Sequence, residues 1–274
     1  MLMQRTVTAL VLAPLAVALI LLAPTALFAI VVAAAFLFAV YEWTRLLGVR
    51  SEAARGVIVA VHAALFAAAW LGRGTALTWI LVALGVAWWP LAALWLRNFS
   101  FAAAPTRENT SLKLVAGMFI VVPAWTAAVT MHGAGEHGPA WVLFGLLLIW
   151  VADSGAYLAG SRWGQGRAKL APRVSPGKTW VGVYGALASS AVVGAVGAWL
   201  LGVRGFALVG VFVLAMLTVV ASIVGDLFES LIKRHANMKD SGNLFPGHGG
   251  MFDRLDSVFA ALPVWAGGLA LFST

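Results

Sequence analysis

Residues 206–232 read FALVGVFVLAMLTVVASIVGDLFESLI, and this run indicates the fold class of the chain. A helix needs about 20 apolar residues to cross the hydrocarbon core of a bilayer, and this run is long enough. Two carboxylates, Asp226 and Glu229, lie near its C-terminal end. An acid at membrane depth costs several kcal/mol, so acids in such a helix indicate a polar functional site in a membrane protein.

The composition of the whole chain also indicates a polytopic membrane protein. Of 274 residues, 62% are hydrophobic and only 10% are charged. Soluble domains average about 45–50% apolar and about 25% charged residues, so a soluble enzyme and a disordered chain are both excluded. The chain has no cysteine, which excludes disulfide scaffolds, zinc–cysteine sites and thiol nucleophiles.

Apolar runs separated by helix-breaking residues predict an all-α fold with nine transmembrane helices. We place the spans at about 6–23, 25–42, 56–72, 76–96, 113–131, 139–160, 179–201, 206–232 and 257–273. An N-terminal region, 1–131, would hold five of them, and a C-terminal catalytic region, 132–274, would hold four. Within the second region, polar loops are expected at 161–178 and 233–256.

The charges in the loops predict an orientation. The N-terminus and the even-numbered loops, counted along the chain, hold 16 of the 18 Lys and Arg residues. Because these residues favour the cytoplasmic side, we expect the N-terminus inside and the C-terminus outside. The net charge of +8 then reflects cytoplasmic loops facing anionic lipid, and no nucleic-acid partner is expected.

Three acids lie inside apolar sequence: Asp153, Asp226 and Glu229. On the helix at 206–232, Ser222, Asp226, Glu229 or Ser230, and Lys233 recur at helical spacing and form one polar stripe. Such a stripe faces a bundle interior or a wet cavity. The alternative is that each acid pairs with a neighbouring lysine and only stabilises helix packing.

The span at 179–201 has a small residue at every fourth position. These residues are Gly182, Ala186, Ser190, Gly194 and Ala198. A seam of this kind lets two helices approach closely, either within the chain or across a homodimer.

The most polar segment, residues 230–256, reads SLIKRHANMKDSGNLFPGHGGMFDRLD. Carboxylate oxygens suit Mg²⁺, Lys and Arg neutralise phosphate, and glycines let backbone amides reach an anion. The segment therefore predicts a metal–polyphosphate site, with a solvated surface loop as the alternative. The loop at 175–179, SPGKT, is a second candidate for phosphate contact, although the proline at 172 excludes a P-loop.

Segment 230–256 resembles the signature of the phosphatidate cytidylyltransferases, also called CDP-diacylglycerol synthases. The matching positions are Ser230, Lys233, Arg234, Lys239, Asp240, Gly242, Pro246, His248, Gly249, Gly250, Asp253, Arg254 and Asp256. The stretches at 153–157 and 175–180 also resemble the family, so the likeness covers about residues 145–265. One departure is Val181, where relatives often carry Glu or Gln.

The resemblance implies that CTP and phosphatidate react to give CDP-diacylglycerol and pyrophosphate, with Mg²⁺ and room for a second, monovalent or divalent, cation. The implied catalytic residues are Asp226, Lys233, Arg234, Lys239, Asp240, His248, Asp253, Arg254 and Asp256. The implied substrate-binding residues are Asp153, Ser175, Lys178, Thr179, Gly249 and Gly250. Asp226 and Asp253 are the expected Mg²⁺ ligands, with Asp256 and Asp153 as second choices.

Two other functions are open at this point. A secondary transporter could use buried acids to couple ions to a phosphorylated solute. Another lipid-phosphate transferase or kinase would share the chemistry of Mg²⁺ and phosphate. For the enzyme, we expect an active site that faces the cytoplasm from the lipid bilayer, at the inner membrane if the source is bacterial.

Overall fold

The computed structural model describes residues 13–244 and 249–272. Within these ranges the chain forms nine helices and one small hairpin. The helices are α1 (Ala13–Leu22), α2 (Thr25–Leu46), α3 (Glu52–Leu71), α4 (Ala76–Arg97), α5 (Arg107–His132), α6 (Gly138–Trp163), α7 (Trp180–Leu200), α8 (Phe206–His235) and α9 (Phe252–Ala270). The strands are β1 (Lys169–Ala171) and β2 (Ser175–Thr179).

Seven of these helices, α2 to α8, are long and apolar enough to cross a membrane. The helix α1 is described only from Ala13, so residues 6–12 of the first predicted span lie outside the described part. The helix α9 has three charged residues, Asp253, Arg254 and Asp256, among its first five. The class of polytopic helical membrane protein is confirmed, while the count of nine spans and the orientation stay predictions.

Several helix ends differ from their predicted positions. The helix α5 begins at Arg107 rather than near 113, because Thr106 caps it and its hydroxyl oxygen accepts the N–H of Asn109 at 3.3 Å. The predicted loop 233–256 is also too long, since α8 continues to His235 and α9 begins at Phe252. The hydropathy pattern placed the end of each predicted span at the first charged residues. A helix tolerates charged residues in its terminal turns, however, because their side chains reach water or one another there.

The prediction of an all-α fold is wrong in one detail. The loop at 161–178 contains an antiparallel hairpin in which Lys169 pairs with Thr179 and Ala171 with Ser175. Thr179 ends the hairpin and caps α7, since its hydroxyl oxygen accepts the N–H of Gly182 at 3.1 Å. The hairpin therefore leads directly into α7.

The helix α5 is the most deeply buried of the seven apolar helices. It packs against α2, α3, α4, α6 and α9, and α9 in turn packs on α4 and α8. Helices from the predicted N-terminal and C-terminal regions thus share one core. This arrangement lets residues of the first region reach the polar segment of the second.

The small-residue seam of α7 is confirmed. The buried residues of α7 are the five of the predicted seam, Gly182, Ala186, Ser190, Gly194 and Ala198. The Ser190 hydroxyl donates to the carbonyl of Leu148 on α6 at 3.4 Å, and Gly194 faces Ala215 on α8. Because these contacts lie within the chain, the seam gives no support to a homodimer, which stays a prediction.

Connections that are distant in sequence meet at one end of the bundle. Nε2 of His235 lies 2.7 Å from the carbonyl oxygen of Phe99, in the connection between α4 and α5. The Arg234 side chain donates through Nε to the carbonyl of Val174, at the tip of the hairpin, at 3.1 Å. These are even-numbered connections, in which the sequence concentrates Lys and Arg, and the candidate site lies beside them.

Candidate functional site

Asp226 of α8 and Lys178 of β2 form an ion pair at the centre of the candidate site. Both side chains are half-buried, and both line a cavity of about 470 Å³ between α6, α7, α8 and the hairpin. Asp153 of α6 lines the same cavity and makes no hydrogen bond or ion pair within the described residues. The volume falls within the range of about 300–1,000 Å³ that is typical of small-molecule sites.

The remaining lining of this cavity is mainly apolar. It includes Ala152, Ala156, Leu170, Val183, Ala186 and Ile223. Tyr157 also lines it and is itself largely exposed. A cavity with charged groups among apolar walls suits an amphipathic ligand. An anionic head group there would need a cation in addition to Lys178, because Asp153 and Asp226 are both carboxylates.

Three carboxylates cluster beside the cavity. Asp226, Glu229 and Asp256 each place a carboxylate oxygen within 4.8 Å of the others. Glu229 is only 1% exposed, and its Oε1 has no hydrogen-bond partner among the described residues, whereas its Oε2 accepts from Lys233 Nζ at 2.8 Å. Like charges this close need a compensating cation or proton. Because Mg²⁺ prefers oxygen ligands from one or two carboxylates, this cluster fits a divalent cation.

Helix geometry produces the cluster. Asp226 and Glu229 are three residues apart on α8, so they lie on the same face. Gly225 lets α9 approach that face, because a methyl group there would lie 2.5 Å from the carbonyl oxygen of Asp256 and 2.8 Å from Cβ of Ala260. The close crossing of α8 and α9 brings Asp256 to the other two acids.

Asp253, at the start of α9, is surrounded by donors from the chain itself. Its Oδ1 accepts from Lys233 Nζ at 2.7 Å. Its Oδ2 accepts from the backbone N–H of Ser241 at 2.9 Å and from that of Gly250 at 2.7 Å. Its role as a metal ligand stays a prediction, and Asp256, a second choice from the sequence, is the residue that lies in the cluster with Asp226.

The two predicted anion-binding glycines contact Asp253 in this structure. Gly249 has a φ of 80°, in the left-handed region that favours glycine, and a side chain there would overlap the Asp253 carboxylate. The N–H of Gly250 donates to the same carboxylate. The anion that this turn binds here is thus a side chain of the protein, and a contact with substrate stays a prediction.

The other predicted residues lie around this centre. Lys239, Asp240 and Arg254 are exposed and form no side-chain hydrogen bond or ion pair within the described ranges. Ser175 begins β2, and Thr179 caps α7 while lining the cavity. His248 lies outside the described residues, so its role stays a prediction.

The alternative of acids that only pair with lysines explains part of this arrangement. It accounts for Asp226 with Lys178 and for Glu229 with Lys233. It does not account for Asp153, which has no such partner among the described residues. Asp256, in the carboxylate cluster, has no lysine partner among the described residues either, so lysine pairing accounts for only part of the cluster.

Sequence reasoning missed one residue, Glu42 of α2. It is 2% exposed, and its Oε2 accepts from the Ser241 hydroxyl at 3.0 Å and from the N–H of Phe252 at 2.8 Å. The signal in the sequence was a single acid in AVYEWTRLL. Because Glu42 falls at the edge of the predicted span 25–42, it resembled an ordinary residue of the membrane interface.

Comparison with known proteins identifies the family. A model of the cytidylyltransferase family matches residues 3–272. The chain belongs to this family. The expected resemblance is thereby confirmed, and with it the prediction of a nucleotidyltransferase rather than a transporter.

Several relatives carry the name phosphatidate cytidylyltransferase. One from Pseudomonas aeruginosa is 40% identical over 266 residues, which cover 97% of this chain and 96% of the relative. One from Haemophilus influenzae is 32% identical over 97% of this chain and 98% of its own length. One from Brucella suis biovar 1 is 35% identical over 81% of this chain and 76% of its own. The first two matches include the N-terminal helices, so the likeness to cytidylyltransferases extends beyond the signature.

Proposed function

We propose that this chain transfers the cytidylyl group of CTP to phosphatidate, giving CDP-diacylglycerol and pyrophosphate. The names of the relatives support the choice of substrates. The observation that carries the proposal is the position of Asp226, which belongs both to the carboxylate cluster and to the cavity that Lys178 lines. Groups for a cation and for a phosphate therefore meet at one residue.

The cavity supports a lipid phosphate as one substrate. Its apolar walls suit the acyl end of phosphatidate, and Lys178 suits the phosphate head group. The even-numbered connections beside the site hold most of the Lys and Arg residues. By the charge rule for membrane proteins, this end of the bundle would face the cytoplasm, where CTP is dissolved.

Magnesium is part of the proposal. Asp226 would hold it together with Asp256 or Asp253, and the unpartnered Oε1 of Glu229 supports a cation at this cluster. Bound there, Mg²⁺ would neutralise charge on the phosphates. The number of acids in the same place also supports a second cation.

The reaction needs positioning more than proton transfer. A phosphomonoester has a second pKa of about 6 by analogy with phosphoserine, so the phosphatidate oxygen is largely ionised near pH 7. That oxygen forms a bond to the α-phosphorus of CTP as the bond to pyrophosphate breaks. Lys178 would leave its ion pair with Asp226 and pair with a substrate phosphate instead. The remaining phosphate charge would be neutralised by Lys233, Arg234, Lys239 and Arg254.

Pyrophosphate release tests this proposal. Detergent-purified protein is incubated with CTP, Mg²⁺ and either phosphatidate or phosphatidylglycerol, which lacks a phosphomonoester. We expect pyrophosphate to be released with phosphatidate but not with phosphatidylglycerol, and we expect no release when Mg²⁺ is chelated. Folded protein that releases no pyrophosphate, or releases it equally with both lipids, would contradict the proposal.

A further inference from the structure

Glu42 connects the N-terminal half of the bundle to the polar segment of the site. It lies near the end of α2, is almost fully buried, and is 199 residues away in sequence from Ser241. A buried carboxylate is costly unless donors satisfy it. Both of its donors, the Ser241 hydroxyl and the N–H of Phe252, lie beside the start of α9. Within the described residues the carboxylate accepts from no other group.

Glu42 contacts the polar segment at two places. The Ser241 hydroxyl lies at one and the N–H of Phe252 at the other, and both donate to the same oxygen, Oε2. Gly242 and Gly250 pack directly on the carboxylate, because a methyl group at either position would overlap it. Ser241, Gly242, Gly250 and Phe252 therefore all lie against Glu42, and two of them donate to it.

The same turns of chain hold Asp253. The N–H of Ser241 and that of Gly250 donate to Asp253 Oδ2, and the Ser241 hydroxyl lies 3.0 Å from the same oxygen. A hydroxyl has one proton, so Ser241 donates to Glu42 or to Asp253 at any moment while remaining in contact with both. Glu42 thus places the donors that orient Asp253, and Asp253 in turn orients Lys233.

We propose that Glu42 is a positioning residue for the reaction: it fixes Ser241, Gly250 and Phe252 so that Asp253 and Lys233 are held in register with the acids of α8. Glu42 itself does not line the cavity. The inference rests on the proposed function for its kinetic readout. Its structural readout is independent of activity.

Two substitutions at Glu42 distinguish the loss of its hydrogen-bond acceptors from a change in side-chain size. Glu42→Met keeps the size but removes both acceptors, so the Ser241 and Phe252 donors lose their partner. Glu42→Gln keeps one carbonyl oxygen, which can still accept from both. Misplacing reacting groups by about 1 Å can cost a factor of about 100 in rate, so we expect kcat to fall by about 10- to 100-fold in the Met variant. We expect the Gln variant to recover most of that loss.

The control is the same pair of substitutions at Glu52, an exposed acid in the first turn of α3. Positioning predicts a lower kcat for Glu42→Met, with the KM for CTP within about threefold of wild type, and no change in the Glu52 variants. A kcat for Glu42→Met within twofold of wild type would overturn the proposal. So would a Gln variant as impaired as the Met variant.

Limited trypsin digestion provides the readout that needs no activity. Lys239 is exposed and lies two residues before Ser241, whose hydroxyl donates to Glu42. We expect cleavage after Lys239, followed by mass spectrometry, to be at least tenfold faster in Glu42→Met and unchanged in Glu52→Met. Unchanged cleavage in Glu42→Met would overturn the proposal, whether or not the wild-type protein turns over CTP.

A third variant keeps the test decisive if Glu42→Met yields no folded protein. Ser241→Ala removes the hydroxyl that contacts both Glu42 and Asp253 but leaves the backbone donors in place. We expect kcat to fall by about 3- to 10-fold and cleavage after Lys239 to accelerate. Wild-type kcat and cleavage in this variant would overturn the proposal.

Discussion

The substitution Asp253→Asn tests the centre of the site, because it changes charge without changing shape. The carboxylate accepts one bond from Lys233 on Oδ1 and two backbone bonds on Oδ2, from Ser241 and Gly250. Asparagine has one acceptor oxygen and one donor group. Whichever way its amide turns, a donor of the variant faces a donor of the protein.

The magnitude follows from these bonds. A hydrogen bond to a charged group contributes about 1.5–3 kcal/mol. At about 1.36 kcal/mol for each factor of ten, losing one such bond from the transition state lowers turnover by about 10- to 150-fold. If Asp253 also binds Mg²⁺, the variant loses a metal-binding charge as well, and turnover becomes undetectable.

The assay measures turnover of CTP with phosphatidate over a titration of Mg²⁺, alongside the thermal midpoint of unfolding in detergent. We expect at least a 10-fold loss of turnover, a higher half-saturating Mg²⁺ concentration where turnover is measurable, and little loss of folded protein. The exposed acid Glu136, with the substitution Glu136→Gln, is the control. Near-normal turnover of Asp253→Asn would contradict a catalytic role for this carboxylate and remove Asp253 from the metal site.

Three further predictions use other parts of the chain. Lys178→Ala removes the cation that lines the cavity, so kcat/KM should fall by about 10- to 100-fold, whereas unchanged kinetics would limit this loop to a topological role. Gly250→Ala places a methyl group on the Glu42 side chain and should lower turnover at least tenfold, whereas Gly56→Ala, in open space on α3, should have no effect; equal activity of the two variants would contradict the packing. Single cysteines at Ser51 and Gly135 should be labelled by an impermeant reagent from opposite sides of the membrane, and labelling from one side would contradict the nine-span topology.

The parts of the fold that were predictable are those that local sequence determines. Hydropathy located the helices, because crossing a bilayer requires a long apolar run. The spacing of Gly182 and its four successors predicted the buried face of α7, and helical periodicity placed Asp226 and Glu229 on one face of α8. Each of these patterns lies within a single helix.

The parts that were not predictable depend on contacts between distant segments. Nothing near Glu42 in sequence indicates that its partners are Ser241 and Phe252. The hairpin was missed because its strands are short and rich in Gly, Pro and Lys, which are unfavourable in strands. The donors that surround Asp253 are backbone groups, and a sequence pattern of side chains does not report where backbone N–H groups point.

The position of the label transferred from CTP distinguishes cytidylyl transfer from other reactions of CTP with a lipid. Purified protein is incubated with phosphatidate and Mg²⁺ and with CTP labelled either on the α-phosphate or on the γ-phosphate, and the organic phase is counted. We expect lipid-soluble label from α-labelled CTP only, and we expect it to depend on phosphatidate and on Mg²⁺. Lipid-soluble label from γ-labelled CTP would show a lipid kinase. If folded protein produced no lipid-soluble label from either form of CTP, the assignment of phosphatidate as acceptor would be contradicted.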